Sequence, residues 1–159
     1  MPSSAKLAAA KAPSVKATAG GTAAGKSPTT TGRCQCRAIE YQFTGEPKLV
    51  MHCHCESCRR TTGGLATAWL GYPTDALTVE QGAPRSYSSS GGVERQFCGQ
   101  CGTSLFYFNE PAMPGVVDVL TVTLDDPEAF PPGLHVQMAD ALPWEASLEG
   151  LPKFDRFPG

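Results

Sequence analysis

The sequence predicts a mainly β protein built from small antiparallel sheets with few short helices. Three observations lead to this fold class. Glycine occurs 17 times and proline 14 times in 159 residues, so turn residues interrupt the chain often. Residues Cys36 to Phe43 alternate polar and apolar side chains, the pattern of a strand with one buried face. Val116 to Leu124 is rich in valine and threonine, which are typical of strands.

The other strands are predicted from short apolar runs bounded by glycine, proline or polar turn residues. In chain order these runs are Lys48 to Cys55, Leu65 to Tyr72, Ala76 to Gln81, Arg85 to Ser88, Val93 to Cys98, Thr103 to Phe108 and Leu134 to Met138. Ser89-Ser90-Gly91-Gly92 joins two of them and predicts a hairpin turn.

Two segments favour short helices. Glu56 to Thr61 is polar and is followed by Gly63-Gly64, which predicts a short helical turn that stops at the glycines. Asp125-Asp126-Pro127-Glu128 combines an Asp cap with proline at the first helical position. From Ala139 onward the chain is rich in proline, and we expect it to pack irregularly through Trp144, Phe154 and Phe157.

Residues 1–31 differ in texture from the rest. They contain four lysines, no acidic residue and no aromatic residue. Such a composition cannot bury enough apolar surface to offset the entropy of ordering, so we expect a disordered tail over 1–31 and one folded domain over 32–159. A nucleic-acid arm and an organelle presequence are the functional alternatives for the tail. The absence of arginine weakens the second, and the sparse lysines weaken the first.

Charge and cysteine usage limit the environment of the protein. The net charge of -2 indicates no polyanionic partner, and no apolar run reaches the ~18 residues of a membrane span. Seven is an odd number of cysteines, and no signal peptide is visible. We therefore expect a reducing, cytoplasmic location, with organelle or nuclear targeting through the tail as the alternative. In such a compartment closely spaced cysteines are typical of metal ligands.

Two outer cysteine pairs can close one metal site. Cys34 and Cys36 lie two residues apart at a predicted strand start, where side chains two apart point the same way. Cys98 and Cys101 form a C-x-x-C turn with glycines that allow a tight bend. Four thiolates are the ligand set of a structural zinc. The alternative is that these are buried free cysteines or a redox pair.

The central segment offers three further thiols. Cys53 and Cys55 share one face of the predicted strand, and Cys58 can fold back over the same point. Three thiolates leave a zinc with an open position, as in catalytic sites. His52 and His54 are candidates for a fourth ligand, although strand alternation directs them away from the thiols.

Other polar residues near this segment have open roles. Arg59 and Arg60 either offset the charge of the cluster or bind a substrate carboxylate. Glu56, His52 and His54 are candidates for a general base by proximity alone. His135 is distant in sequence, and we expect it to be structural. Because thiolate ligands favour soft donors, a small thiol is a natural fourth ligand.

The cysteine segments resemble the glutathione-dependent formaldehyde-activating family. The matching stretches are Gly32-Arg33-Cys34-Gln35-Cys36, Cys53-His54-Cys55-Glu56-Ser57-Cys58-Arg59 and Phe97-Cys98-Gly99-Gln100-Cys101-Gly102-Thr103. Thr123-Leu124-Asp125-Asp126-Pro127, His135-Val136, Trp144 and Leu151-Pro152-Lys153-Phe154 extend the likeness over 32–159. Gln137-Met138 departs from it, since relatives often carry an aromatic and an acidic residue there.

The resemblance implies a β-tent fold and two zinc ions per chain. One zinc would be held by the residues matching Cys34, Cys36, Cys98 and Cys101, and the other by those matching Cys53, Cys55 and Cys58. It also implies a carbon–sulfur lyase that joins formaldehyde to glutathione or separates them. The alternatives are a non-catalytic zinc-scaffolded module whose tail contacts DNA or a protein partner, and a thiol redox or metal-buffering protein using Cys55 and Cys58.

Overall fold

Ten strands and one α-helix form the part of the chain, residues 28–157, that the computed structural model describes. The strands are β1 (Thr29–Arg33), β2 (Glu40–Thr44), β3 (Leu49–Cys53), β4 (Thr67–Pro73), β5 (Leu77–Gln81), β6 (Arg85–Ser90), β7 (Val93–Phe97), β8 (Ser104–Asn109), β9 (Val116–Leu120) and β10 (Leu134–Val136). The helix is α1 (Glu56–Thr62), and short 3-10 turns cover Thr74–Ala76, Thr121–Thr123, Pro127–Ala129, Met138–Asp140 and Pro143–Gly150. The predicted mainly β class is confirmed.

The strands form two sheets, one of three strands in the order β1-β2-β5 and one of seven in the order β10-β3-β4-β9-β8-β7-β6. Neighbouring strands are antiparallel except β10 and β3, which run parallel. Aromatic rings join the two sheets: Phe43 stacks on Tyr72 at 4.4 Å between ring centroids, and Tyr41 meets Phe106 edge-on at 4.9 Å. This buried layer is the main core. The finer description as a β-tent stays a prediction.

The first strand begins before residue 32, at which the sequence predicted the start of the folded domain. Strand β1 starts at Thr29, and the side chains of Thr30 and Thr31 form hydrogen bonds with other segments. Thr30 Oγ1 lies 3.0 Å from the Tyr72 hydroxyl, and Thr31 Oγ1 donates to Asp125 Oδ2 at 2.7 Å. A β-branched threonine run suits a strand, which is why these residues pair with β2. The predicted disorder of the tail otherwise falls on residues 1–27, outside the described residues.

The expectation of a strand from Cys36 is wrong in its first half, because the strand begins at Glu40. Cys34 to Ile39 form a tight turn instead. The Arg37 amide donates to the carbonyl of Cys34 at 3.0 Å, and the Cys34 amide donates to that of Ile39 at 3.0 Å. Arg37 takes a left-handed backbone with φ of 62°. The two thiols of this segment therefore converge through a turn rather than along one face of a strand.

Several element ends also differ from expectation. The strand predicted to reach Leu124 ends at Leu120, since Thr121–Thr123 form a 3-10 turn in which Thr123 Oγ1 donates to the Leu120 carbonyl at 2.8 Å. Strand β10 ends at Val136 because Gln137 is left-handed, with φ of 58°. The helix predicted after Asp125 is only the 3-10 turn Pro127–Ala129. In contrast, α1 stops at the glycines as predicted: Thr62 is its last residue, and Gly63 caps it with φ of 73°.

The C-terminal segment packs less than the sequence suggests. Trp144 is 50% exposed, Phe154 62% and Phe157 98%, so the expected packing of these three aromatic residues is wrong. Trp144 lies in the 3-10 segment Pro143–Gly150, which has no buried residue, and the described chain beyond Gly150, which holds Phe154 and Phe157, adds no strand or helix. None of the described helices has the length and apolar character that crossing a membrane requires.

Candidate metal centres

Four thiols lie close together, two from the turn that holds Cys34 and Cys36 and two from the turn that holds Cys98 and Cys101. Their Sγ atoms all lie within 4.8 Å of one another. The distance is 3.5 Å between the Sγ atoms of Cys34 and Cys36, and 3.7 Å between those of Cys36 and Cys98. Four sulfurs at ~2.3 Å from a tetrahedral zinc would lie about 3.8 Å apart, so the arrangement of this four-thiol cluster (Cys34, Cys36, Cys98, Cys101) fits such an ion.

Two turns position the four-thiol cluster. The second turn connects β7 to β8, and its Gly102 has φ of 76° and donates its amide to the Cys98 carbonyl at 2.9 Å. Thr103 ties this turn to the first one, since its Oγ1 accepts from the Gln35 amide at 3.2 Å and lies 3.1 Å from Cys101 Sγ. The Ile39 amide donates to Cys34 Sγ at 3.3 Å. Such N–H groups stabilise thiolate charge.

The electrostatics of the four-thiol cluster favour a bound cation. Hydrogen bonding from the Thr103 side chain and backbone lowers the pKa of Cys101 to about 5. Although the Ala38 backbone N–H acts in the opposite direction, the neighbouring thiols, Cys101 first, raise the pKa of Cys36 to about 12. One sulfur thus ionises readily while another keeps its proton. A divalent cation stabilises thiolates in such a group, because metal binding displaces the thiol protons.

Three further thiols form a second group where β3 runs into α1. The Sγ atoms of this three-thiol cluster (Cys53, Cys55, Cys58) lie within 4.8 Å of one another. Cys53 is the last residue of β3, and Cys55 caps α1 by accepting the Cys58 amide at 3.3 Å. Cys55 keeps an extended backbone, with φ of -62° and ψ of 145°, so its side chain stays on the side of Cys53. All seven cysteines of the chain are free thiols.

The three-thiol cluster combines buried and accessible sulfur. Cys53 and Cys58 are buried, while Cys55 is partly exposed. Burial raises the pKa of Cys58 to about 12 and also raises that of Cys53. Burial acts on Cys55 in the same direction, but hydrogen bonds from Cys58 outweigh it and lower the pKa of Cys55. Cys55 is therefore the first sulfur of this cluster to ionise.

Arg95, which the sequence reasoning missed, is a buried cation beside the three-thiol cluster. Its side chain is 5% exposed, and its Nη2 donates to Ser57 Oγ at 2.9 Å. Its Nε and Nη1 atoms have no hydrogen-bond partner, and no described carboxylate forms an ion pair with it. A buried, half-satisfied guanidinium needs an anion nearby. Three thiolates around Zn²⁺ leave a charge of about −1, which this arginine can offset.

A signal for Arg95 was present in the sequence. Arg95 lies two residues from both Val93 and Phe97 in a strand, so alternation puts its charged side chain on the same face as these two apolar ones. A charge in such a position is rarely buried without a specific partner. The partner is contributed by a distant part of the chain, which the strand pattern alone does not reveal.

A cavity of about 430 Å³ is connected to the three-thiol cluster through shared neighbours, although no cysteine lines it. Arg95 and Trp69 belong to its lining, and Trp69 also packs against Cys53 and Cys58. Most of the remaining lining is aromatic or polar, from Thr61, Ser86, Tyr87, Gln96, Phe97, Gly102, Ser104 and Phe106. This size and mixed lining suit a small molecule that carries a few polar groups.

The two arginines predicted from the sequence, Arg59 and Arg60, form their hydrogen bonds with residues outside the three-thiol cluster. Arg59 Nη1 donates to the carbonyls of His54 at 3.3 Å and Asp140 at 2.9 Å, which fastens the C-terminal segment to the helix. Arg60 pairs with Glu56 at 2.8 Å, and both side chains are largely exposed. Surface pairs of this kind contribute little to stability. A contact between either arginine and substrate stays a prediction.

The three histidines gather in a group of their own. The ring nitrogens of His52, His54 and His135 lie within 4.8 Å of one another and do not belong to either cysteine group. This separation is what strand alternation predicts for His52 and His54, and His135 joins them from β10. Burial, and then the charges of the other two rings, lowers the pKa of His52. The sequence did not indicate that His135 would meet the other two.

Comparisons with known proteins agree with this architecture. The chain matches the glutathione-dependent formaldehyde-activating enzyme family over residues 29–140. It is 36% identical over 88 residues to an uncharacterized lyase of Schizosaccharomyces pombe, covering 50% of this chain and 58% of that protein. It is 28% identical over 124 residues to a candidate glutathione-dependent formaldehyde-activating enzyme of Halomonas elongata, covering 71% of this chain and 77% of that protein.

A solved structure shows the same fold. The crystal structure of a Rhodobacter sphaeroides protein matches with a TM-score of 0.54 and 22% identity, over 67% of this chain and 99% of that one. Fold and cysteine geometry together define a mainly β protein with two thiol clusters suited to metal ions. The chain belongs to the glutathione-dependent formaldehyde-activating enzyme family.

Proposed function

We propose that the protein forms or cleaves a thiol–aldehyde adduct, with glutathione and formaldehyde as the first substrates to test. The observation that carries the proposal is the three-thiol cluster, whose neighbours Trp69 and Arg95 also line a cavity of about 430 Å³. Three sulfurs are too few to close a tetrahedral zinc, and the remaining cysteines are gathered in the other cluster. Family membership and the names of two relatives, one a lyase and the other a formaldehyde-activating enzyme, support the same reaction class.

Two separate groups of cysteines would bind two zinc ions. Cys34, Cys36, Cys98 and Cys101 would hold a structural zinc, and Cys53, Cys55 and Cys58 would hold the second. When bound by three thiolates, zinc supplies an open position that keeps a substrate thiol deprotonated at neutral pH. The chain's own contribution is to place Trp69 and Arg95, which also line the cavity, near these three cysteines.

The reaction itself is an addition to a carbonyl. The sulfur of the substrate thiolate shares its electron pair with the aldehyde carbon, so a carbon–sulfur bond forms. The electron pair of the C=O π bond moves to the oxygen, which takes up the proton that the thiol lost. The reverse direction breaks the same bond and returns aldehyde and thiol. The overall process is neither an oxidation nor a reduction, so it needs no further reactant.

Arg95 would stabilise the charge that the thiolate brings. A deprotonated substrate thiol adds a second negative charge to a cluster that is already about −1. The free Nε and Nη1 groups of Arg95 are available to it, because only Nη2 is engaged, by Ser57. Charge-assisted hydrogen bonds of this kind are stronger than neutral ones, above all where water is excluded.

The test compares adduct formation with and without the three-thiol cluster. Exchange between ¹³C-formaldehyde and its glutathione adduct is followed by NMR exchange spectroscopy, which separates catalysis from the spontaneous reaction. We expect the exposed-site control Ser90→Ala to keep the acceleration and Cys58→Ser to lose it while staying folded. We also expect native mass spectrometry to find one thiol-bound zinc fewer in Cys58→Ser. An unchanged rate and zinc content in Cys58→Ser would refute the assignment.

A further inference from the structure

The three histidines of the chain converge on one point, although they come from two distant segments. The sequence holds only three, and the ring nitrogens of all of them lie within 4.8 Å of one another. We propose that His52, His54 and His135 form a third metal site, separate from the thiol clusters, for a divalent transition ion such as Zn²⁺. It lies on the face of β3 opposite the three-thiol cluster, because His52 and Cys53 are adjacent on a strand.

The sheet register builds this three-histidine site. Strands β3 and β10 run parallel, and His52 is the direct register partner of His135. The His54 amide continues the ladder by donating to the Val136 carbonyl at 3.0 Å. Neighbouring strands present paired residues on the same face, and residues two apart on one strand also share a face. All three rings are therefore directed to one side by backbone hydrogen bonds rather than by flexible loops.

The distances suit imidazole ligation. His54 Nε2 lies 2.9 Å from His135 Nδ1. Two nitrogens at ~2.0–2.1 Å from a tetrahedral zinc would be about 3.3 Å apart, so a few tenths of an ångström of ring movement suffices. The third ring is in place as well, with centroids of His52 at 5.1 Å from His54 and 5.4 Å from His135.

Glu145 supports the ligand geometry from outside. Its Oε2 lies 3.2 Å from His54 Nδ1, and a carboxylate can only accept there. In the tautomer that donates from Nδ1 to Glu145, the lone pair of His54 Nε2 points toward His135. A carboxylate that fixes a histidine in this way is the usual outer partner of a metal-bound imidazole. It also contributes one negative charge against the two positive charges of the ion.

The site has a closed and an open side. His54 is buried, His52 is partly buried and His135 is exposed. An ion could enter past His135 and keep water or a small ligand as its fourth partner. Neutral nitrogen donors bind Zn²⁺, Ni²⁺, Co²⁺ and Cu²⁺, and they offset less charge than thiolates do. We therefore expect this site to fill after the thiol clusters, on titration with added zinc.

Selective labelling makes the test direct, since only three histidines contribute signals. The full-length chain, free of any affinity tag and with its thiol clusters already loaded, is labelled with ¹⁵N-histidine and titrated with Zn²⁺. We expect the ring nitrogen signals of all three histidines to shift together and to saturate at one zinc per chain beyond the thiol-bound metal. His135→Gln, at an exposed position, should bind no extra zinc while keeping the thiol-bound metal.

Two further variants separate ligation from packing. Glu145→Gln should weaken zinc binding by the histidines by about 10-fold or more, whereas Glu149→Gln should not, because Glu149 pairs with exposed Lys153 instead. Cys58→Ser should retain the extra zinc, since no sulfur belongs to this site. Absence of histidine shifts at saturating zinc, or an unchanged extra zinc in His135→Gln, would overturn the proposal.

Discussion

The guanidinium of Arg95 lies 4.6 Å from the ring centroid of Tyr107 and donates through Nη2 to Ser57 Oγ at 2.9 Å. A buried positive charge is thereby held between an aromatic face and the helix that carries Cys58. The cation–π contact stabilises the charge only partly, and two of the three guanidinium nitrogens remain without partners. The position therefore favours an anion. Burial is the largest influence on the pKa of Cys55 and of Cys58 and acts to raise both, whereas the charge of Arg95 acts to lower them.

Replacing Arg95 by methionine should weaken zinc binding at the three-thiol cluster. The substitution removes the positive charge that offsets the thiolates, and we expect about 10–100-fold lower affinity for the second zinc. Competition with a metal chelator measures it. Arg156→Met, at an exposed position, is the matched control and should have no effect. Equal zinc affinity in both variants would show that Arg95 does not balance the cluster.

Loss of one ligand should affect the two thiol clusters differently. Cys98→Ser is expected to unfold the domain at 25 °C, because a structural zinc contributes ~10 kcal/mol or more and a domain's whole stability is only about 5–15 kcal/mol. Cys58→Ser should leave the fold intact. Circular dichroism with and without chelator distinguishes the two. Similar melting temperatures for both variants would contradict the division into a structural and an open cluster.

Gly32→Ala should destabilise the protein by about 1–3 kcal/mol through overpacking. A β-carbon at this position would collide with the Tyr41 ring and hydroxyl and lie 2.8 Å from the Thr123 carbonyl oxygen. Tyr41 is held there by a 2.6 Å hydrogen bond to Thr123 Oγ1 and has little room to move. Denaturant unfolding is the measurement. Gly91→Ala is the control, since open space surrounds that position.

Asp118 should make stability fall as pH rises from about 4 to above 6. Burial raises its pKa to about 6 from the ordinary value of 3.8. The folded state then binds the proton more tightly than the unfolded state, so the contribution of Asp118 to stability is greatest below pH 3.8 and is lost as pH increases through about 6. The full effect is at most about 3 kcal/mol.

The substitution Asp118→Asn isolates this effect from the pH dependence of metal binding. The unfolding free energy of Asp118→Asn minus that of the natural chain should increase as pH rises from 5 to about 7.5. Comparing two zinc-loaded proteins at each pH cancels the contribution of the thiols. A difference that does not change with pH would show that the folded-state pKa of Asp118 is ordinary.

Much of the candidate site could be anticipated because its ligands are close in sequence. Cys53, Cys55 and Cys58 lie within six residues, so local backbone geometry alone limits how far apart their sulfurs can be. The helix stop at Gly63 is likewise a local effect of one residue that tolerates a left-handed backbone. The strand expected from Cys36 shows the limit of such reasoning, since a turn produced the same pairing of thiols by a different route.

The sequence by itself determined the fold class, through its turn residues and alternating strands, and the sharing of seven cysteines between two clusters, through their spacing. Only the tertiary structure decided which distant side chains complete the surroundings of those clusters. Arg95 of β7 reaches Ser57 of α1 through a side-chain hydrogen bond, and His135 reaches His52 through the parallel pairing of β3 and β10. The reason is physical: spacing constrains neighbours along the chain, whereas contacts between remote segments depend on strand order and register.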